Sequence, residues 1–144
     1  MSSWNSRFAV GALALFLLLV VGCRQQQSNP GKIAWLFSFE EAKKKAQAEN
    51  KFIFVDFTGA WCHWCNVLDR TTFQDDRVVK KARQFVCVKV NTQENRSLVR
   101  KYRVTGIPKL CFMKADGDAV LCASGYQSAA RMLKLMDKVL KTAR

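Results

Sequence analysis

The chain has 144 residues, enough for one domain with a packed core and little to spare. Apolar residues make up 49% of it, which excludes a globally disordered chain. The formal charge is +13, which suits attraction to anionic membranes or acidic proteins or is simply a solvated basic face; no nucleic-acid-binding motif accompanies it, so no nucleic acid is expected as a partner.

Arg7 is the only charged residue before Arg24, and Phe8 to Val21 is an unbroken apolar run of 14 residues. A spanning helix needs roughly 20, so the run is short for an anchor and reads as the core of a secretory signal. Val20-Val21-Gly22-Cys23 closes it and resembles the lipobox of bacterial lipoproteins, with Val20 where Leu is usual. That resemblance implies cleavage after Gly22 and lipid on Cys23. Residues 1–22 are then the signal peptide. Residues 23–31 form a lipidated flexible tether, because Arg24 to Gly31 is polar and ends in turn formers. The folded domain is expected over 32–144.

Ile33 to Phe37 reads as a first short strand. Ser38 and Glu41 form a capping-box pattern ahead of a helix over Phe39 to Asn50. Lys51 to Phe57 is a strand-forming run suited to a buried central position, although it carries one acid, Asp56. Thr58-Gly59-Ala60 turns the chain and a helix follows near Cys62. Asp75 and Asp76 start another helix ahead of Arg77 to Arg83. Phe85 to Val90 is a second strong strand, and Ser97 to Tyr102 is helical. Gly106-Ile107-Pro108 breaks the chain before a strand over Leu110 to Met113. Asp116-Gly117 signals a hairpin returning through Val120 to Ala123. Ala129 to Lys141 spaces its apolar residues as an amphipathic closing helix. The alternation followed by a hairpin implies an α/β domain, a central mixed sheet with helices on both faces.

The chemistry concentrates at Trp61-Cys62-His63-Trp64-Cys65. A Cys-x-x-Cys pair at a helix start gains from the partial positive charge and free N–H groups there, which stabilise the thiolate of the first cysteine. Thiolates attack disulfides, and a second sulfur one turn away can resolve the mixed disulfide. His63, the single histidine, either assists the Cys62 thiolate or is an exposed loop residue. Trp61 and Trp64 offer an apolar rim for extended peptides, or simply pack. Structural zinc needs a second close pair of ligands, and Cys87, Cys111 and Cys122 stand singly, so neither metal nor other cofactor is expected. These three read as small core residues; alternatively, a tight turn at Asp116-Gly117 sets Cys111 opposite Cys122 for a second disulfide.

Phe54-Val55-Asp56-Phe57, Trp61-Cys62, Lys89, Thr105-Gly106-Ile107-Pro108 and Gly125 follow the order and spacing of thioredoxins. The resemblance covers roughly residues 33–141. It implies the thioredoxin fold and dithiol–disulfide exchange. It also implies that Asp56 is the buried acid trading protons with Cys65, that Lys89 stands near that acid, and that Pro108 is a cis-proline. In that family the Ile107–Pro108 turn faces the pair and offers backbone to the substrate. Residues 62–75 are further similar to the signature Cys-His-Trp-Cys-His-Val-Met-Glu-Arg-Glu-Ser-Phe-Glu-Asp of DsbH-type periplasmic oxidoreductases and the C-terminal domain of DsbD; Asn66 stands where that signature has His.

Together these readings describe an exported, lipid-anchored thiol–disulfide oxidoreductase on the periplasmic side of the inner or outer membrane. It is expected to work as a reductant on exported proteins, supplied by a membrane electron donor of DsbD type. A reductase dedicated to cytochrome maturation uses the same chemistry on one client. A non-catalytic binding or assembly module needs neither Cys62 nor Cys65, and their presence argues against it.

Overall fold

The structure, a computed structural model, describes residues 31–142. The expected signal segment, Cys23 and all of the tether except Gly31 lie outside the described residues. Eleven elements follow in chain order: β1 (Trp35–Leu36), α1 (Phe39–Glu49), β2 (Phe52–Thr58), α2 (His63–Arg70), a 3-10 turn (Thr72–Gln74), α3 (Asp76–Ala82), β3 (Phe85–Asn91), α4 (Arg96–Lys101), β4 (Lys109–Met113), β5 (Ala119–Ser124) and α5 (Ala129–Lys141). The sheet order is β1-β3-β2-β4-β5. β1, β3 and β2 run parallel, while β4 and β5 are antiparallel to their neighbours. This is the thioredoxin fold, with the mixed sheet the alternation of elements implies. Among the described residues no helix is long and apolar enough to cross a membrane.

Local chemistry explains the boundaries. Ser38 Oγ accepts from Glu41 N–H at 3.3 Å and starts α1. Asn50 ends it in the left-handed region, φ 50°, where asparagine is among the few tolerated side chains. Thr71 stops α2 by leaving helical geometry, and its hydroxyl donates to the Val67 carbonyl at 2.7 Å. Asp75 then caps α3 by accepting from Arg77 N–H at 3.0 Å. The first strand is shorter than the apolar run suggests. Phe37 points into solvent, 77% exposed, and only Trp35 and Leu36 pair with β3.

Two-residue alternation sorts the strands onto two apolar layers. Ile53, Val55 and Phe57 face α1 with Val86, Val88, Cys111 and Met113. Phe54 faces the opposite layer with Leu68, Phe73, Leu110, Phe112 and the α5 residues Met132 and Met136. Phe54 is the hub of the second layer. Its ring stacks on Phe112 at 4.9 Å and meets Trp35 at 5.5 Å and Phe73 at 6.0 Å. It is wholly buried. Phe54→Ala should therefore lose the ring's burial and leave a cavity, costing about 3–5 kcal/mol. Urea unfolding followed by tryptophan fluorescence measures that loss.

Candidate active site

β2 runs through the centre of the sheet and delivers the chain to one edge at Thr58. Gly59 permits the next step, because a Cβ there would stand 2.9 Å from Ile107 Cδ1. The chain turns over Gly59–Trp61, with Cys62 N–H donating to the Gly59 carbonyl at 3.2 Å. Cys62 then takes the N-cap position of α2 in extended geometry. Its sulfur accepts the backbone N–H of Cys65 at 3.1 Å. A serine or aspartate oxygen fills this role at most helix starts; here a sulfur does. The same N–H and the helix terminus favour a thiolate at Cys62 over one at Cys65. The two sulfurs are joined as a disulfide, with Cα atoms 5.2 Å apart.

An open groove of about 320 Å³ runs beside the pair. Trp61, Cys62, His63, Trp64, Thr92 and Ile107 line it. Trp61 is 93% exposed and Trp64 about half exposed, so both indoles form a rim rather than packing inside. His63 is exposed, and its ring lies edge-on to Trp64 at 5.4 Å. The Ile107–Pro108 bond is cis. Pro108 is buried, and its carbonyl accepts Gly125 N–H at 2.8 Å.

Asp56 lies on the face of β2 that α2 covers, and it is almost fully buried. Burial pushes its carboxyl up to about 6; Lys89 opposes the shift and Asp69 adds to it. Lys89 Nζ is 3.5 Å from Asp56 Oδ2 and pairs with Asp69 on α2. The ammonium also lies over the rings of Trp35 and Phe73, at 5.2 and 5.6 Å. Asp56 Oδ1 has no hydrogen-bond partner. Cys65 is one helical turn before Asp69, so both project from the strip of α2 that faces Asp56.

Two groups of site residues were not singled out in the sequence. Asp69 lies within the 62–75 match, where the signature has Glu, but carries no role in the sequence reading. The loop after β5 is the other. Tyr126 sits 5.7 Å from the Trp64 ring and extends the aromatic rim. Its loop is fixed by Thr72, whose hydroxyl donates to the Gln127 carbonyl at 2.7 Å. Gln127 Nε2 donates in turn to the carbonyls of Ser124 and Gly125.

Cys87 is buried and free, and its thiol is pushed up to about 12 by burial. It is an unreactive core residue, as its place in a strand suggests. Of the two readings for Cys111 and Cys122, single core residues or a second disulfide, the structure has the second. They stand directly opposite across β4 and β5 and are disulfide-bonded, and Cys122 is exposed. The tight turn responsible closes through Gly117 N–H to the Lys114 carbonyl at 2.9 Å, with Gly117 at φ 96°. Among the described residues no group of His, Cys, Asp or Glu is arranged to hold a metal ion.

A family model for a thioredoxin-like domain matches residues 39–140. The thiol:disulfide interchange protein DsbD of Campylobacter jejuni is 33% identical over 107 residues, which is 72% of this chain and 19% of that protein. DsbD of Yersinia pestis is 30% identical over 95 residues, covering 62% of this chain and 16% of its own length. The chain thus spans less than a fifth of these curated relatives. Among solved structures, a thioredoxin from Thermus thermophilus superposes with a TM-score of 0.68 at 26% identity, covering 76% of this chain and 88% of that one. DsbH oxidoreductase superposes with a TM-score of 0.62 at 25% identity, covering 78% and 90%.

Asp56 gives a pH test. Its carboxyl rises from 3.8 to about 6 on folding, so the folded state holds this proton more tightly than the unfolded chain does. The associated stability is complete below about pH 4 and is lost as pH climbs through 6. Asp56→Asn removes that loss. It should stabilise the protein at pH 7.5 by about 1–3 kcal/mol and change it little at pH 4. Thermal or urea unfolding at the two pH values measures the difference.

Proposed function

The chain belongs to the thioredoxin-like domain family, and on that premise we propose that it is a membrane-tethered thiol–disulfide oxidoreductase that reduces disulfides of exported proteins. The observation that carries the reading is the Cys62–Cys65 pair, seated at the N-cap of α2 with the Cys65 N–H on the Cys62 sulfur.

In the reduced protein the Cys62 thiolate attacks a client disulfide. One client sulfur leaves as a thiolate, and a Cys62–client disulfide forms. Asp56, ionised at neutral pH, takes the proton of Cys65. The Cys65 thiolate then attacks Cys62 Sγ, releases the second client thiol and leaves the pair oxidised, the state seen here. A membrane dithiol of DsbD type returns two electrons and two protons. Its involvement is supported by the similarity to thiol:disulfide interchange proteins.

Trp61, Trp64 and Ile107 receive the client's extended segment. Pro108 has no N–H and its carbonyl already holds Gly125, so backbone pairing with the client falls to Ile107. Export and tethering rest on the signal-like run over 8–21 and on Cys23. Lipid on Cys23 and a tether over 23–31 hold the domain over 32–144 beside the periplasmic face of a membrane.

The direction of flow follows from the pair's surroundings. A strong oxidant holds its first thiolate very stable. Here the intervening pair adds an apolar indole, Trp64, beside His63. The expected potential is nearer about −270 mV than about −120 mV. Equilibration of the protein with glutathione buffers measures it, and a value above about −160 mV reverses the assignment to an oxidase.

The roles of the two cysteines separate in cells. Cys65→Ser should accumulate mixed disulfides with clients, visible on non-reducing gels, and Cys62→Ser should not. Cys23→Ala should abolish acyl labelling and move the protein to the soluble fraction. A variant still membrane-bound and of unchanged size overturns the lipid anchor.

A further inference from the structure

The exchange chemistry at Cys62–Cys65 makes no use of the second disulfide. Cys111 and Cys122 are directly opposed on β4 and β5, with Cα atoms 4.2 Å apart. This is the spacing of the narrow, non-hydrogen-bonded pairs of an antiparallel ladder, which bring side chains closest. The two ends of the bond live in different surroundings. Cys111 is wholly buried in the layer with Ile53, Val55 and Met113. Cys122 is exposed, and β5 is the edge strand of the sheet. A thiolate attacks a disulfide from the side opposite the departing sulfur. Cys122, exposed on the edge strand, is the end an external thiolate can approach, whereas Cys111 is enclosed in its layer.

Its placement also limits what it adds as a purely structural bond. It joins residues 11 apart in sequence, within a hairpin already held by its ladder and by the Gly117 turn. Closing so short a loop constrains the unfolded chain less than joining distant segments does. The sheet separates it from the first pair. Cys111 belongs to the α1 layer, whereas α2 and its Cys62–Cys65 head cover the other face. The two disulfides cannot exchange directly within one molecule, so any reductant comes from outside.

We propose that Cys111–Cys122 is a second redox couple, opened at Cys122 by an external dithiol. One thiolate of the dithiol attacks Cys122 Sγ. The Cys111–Cys122 bond breaks, a bond from Cys122 to the dithiol forms, and Cys111 leaves as a thiolate that takes up a proton. The second thiolate of the dithiol then attacks its own partner sulfur. Cys122 departs as a thiolate and is protonated, and the dithiol ends as a disulfide. Two electrons and two protons have passed to the protein. An external disulfide runs the steps in reverse.

The chemistry selects its reductant. Cys111 must leave into an apolar layer, where a thiolate is disfavoured, so it is a poor leaving group. It also stays beside Cys122 and re-attacks there. With a monothiol such as glutathione, that re-attack expels the glutathione and restores the Cys111–Cys122 bond, whereas the second thiol of a dithiol is held beside the mixed disulfide and carries the reaction through.

The test uses the full chain carrying Cys62→Ser and Cys65→Ser, so that its outcome does not depend on the first pair. The folded protein is treated with dithiothreitol or with glutathione at equal thiol concentration and quenched in acid. After denaturation and alkylation, the peptides holding Cys111 and Cys122 are quantified by mass spectrometry, with circular dichroism confirming that the protein stays folded. Dithiothreitol should free both thiols in the folded state roughly tenfold or more faster than glutathione does. Any glutathione adduct should fall on Cys122. The proposal fails if both thiols stay blocked until the chain is unfolded, if both are free before reductant is added, if the adduct falls on Cys111, or if the two reductants act equally fast. The same two peptides read from the unsubstituted chain keep the result decisive should the double variant misfold.

Discussion

An aspartate inside an apolar sheet forces much of the arrangement around it. Asp56 occupies a position on β2 where its neighbours on the strand are wholly buried phenylalanine and valine. A carboxylate there is costly unless a cation and hydrogen bonds accompany it. Lys89 supplies the cation from the adjacent strand, directly across the ladder. The ammonium is then shared with Asp69 on α2 and sits against the Trp35 and Phe73 rings. One lysine thus ties the sheet to the helix that carries both cysteines. The pairing is incomplete, since Asp56 Oδ1 is unpartnered and the carboxyl remains shifted up to about 6. That incompleteness keeps a group able to trade protons close to neutral pH under the head of α2.

The sheet that houses Asp56 also insulates one face from the other. Leu110 and Phe112 of β4 look toward α2 and α5, while Cys111 and Met113 look toward α1. The same strand begins beside Pro108, whose carbonyl ties back to Gly125 at the end of β5. The β4–β5 hairpin therefore connects the wall of the active-site groove to the second disulfide through backbone alone. No side-chain path across the sheet is needed for the two to share an element.

Much of this was legible because it depends on local chemistry. Ser38 with Glu41 marked the start of α1, and Asp75 the start of α3, because a cap is a property of a few adjacent residues. The Cys62–Cys65 pair and Ile107–Pro108 were legible from motif order. What escaped depends on position in the assembled sheet. Cys122 lies in an apolar run that reads as an ordinary strand, and nothing in its neighbours says that the strand is an edge. Phe37 ends an apolar stretch yet finds no layer to enter, since β1 is itself the other edge of the sheet. Asp69 matches a signature acid, but its role depends on Lys89, twenty residues away in sequence, meeting it in the folded sheet. Tyr126 reached the rim only because Thr72 and Gln127 hold its loop against the end of α2.

In the proposed exchange, the asymmetry between Cys62 and Cys65 lets a single pair both attack and resolve. Cys62 is the cap, so the helix terminus and the Cys65 N–H lower the cost of its negative charge. Cys65 lies inside the helix and is more deeply buried than Cys62. A thiolate there is disfavoured until the moment a base removes its proton. Asp56 can serve as that base only when ionised, yet its ionisation further discourages a standing charge on Cys65. In the proposed exchange the proton is therefore transferred late, as the mixed disulfide is ready to be resolved. With Lys89 beside it, the carboxylate is stable enough to wait and basic enough to act. The buried acid does not set the direction of electron flow, because the same proton moves either way. In the proposed scheme direction rests on how far the cap stabilises the Cys62 thiolate, which is the quantity the reduction potential reports.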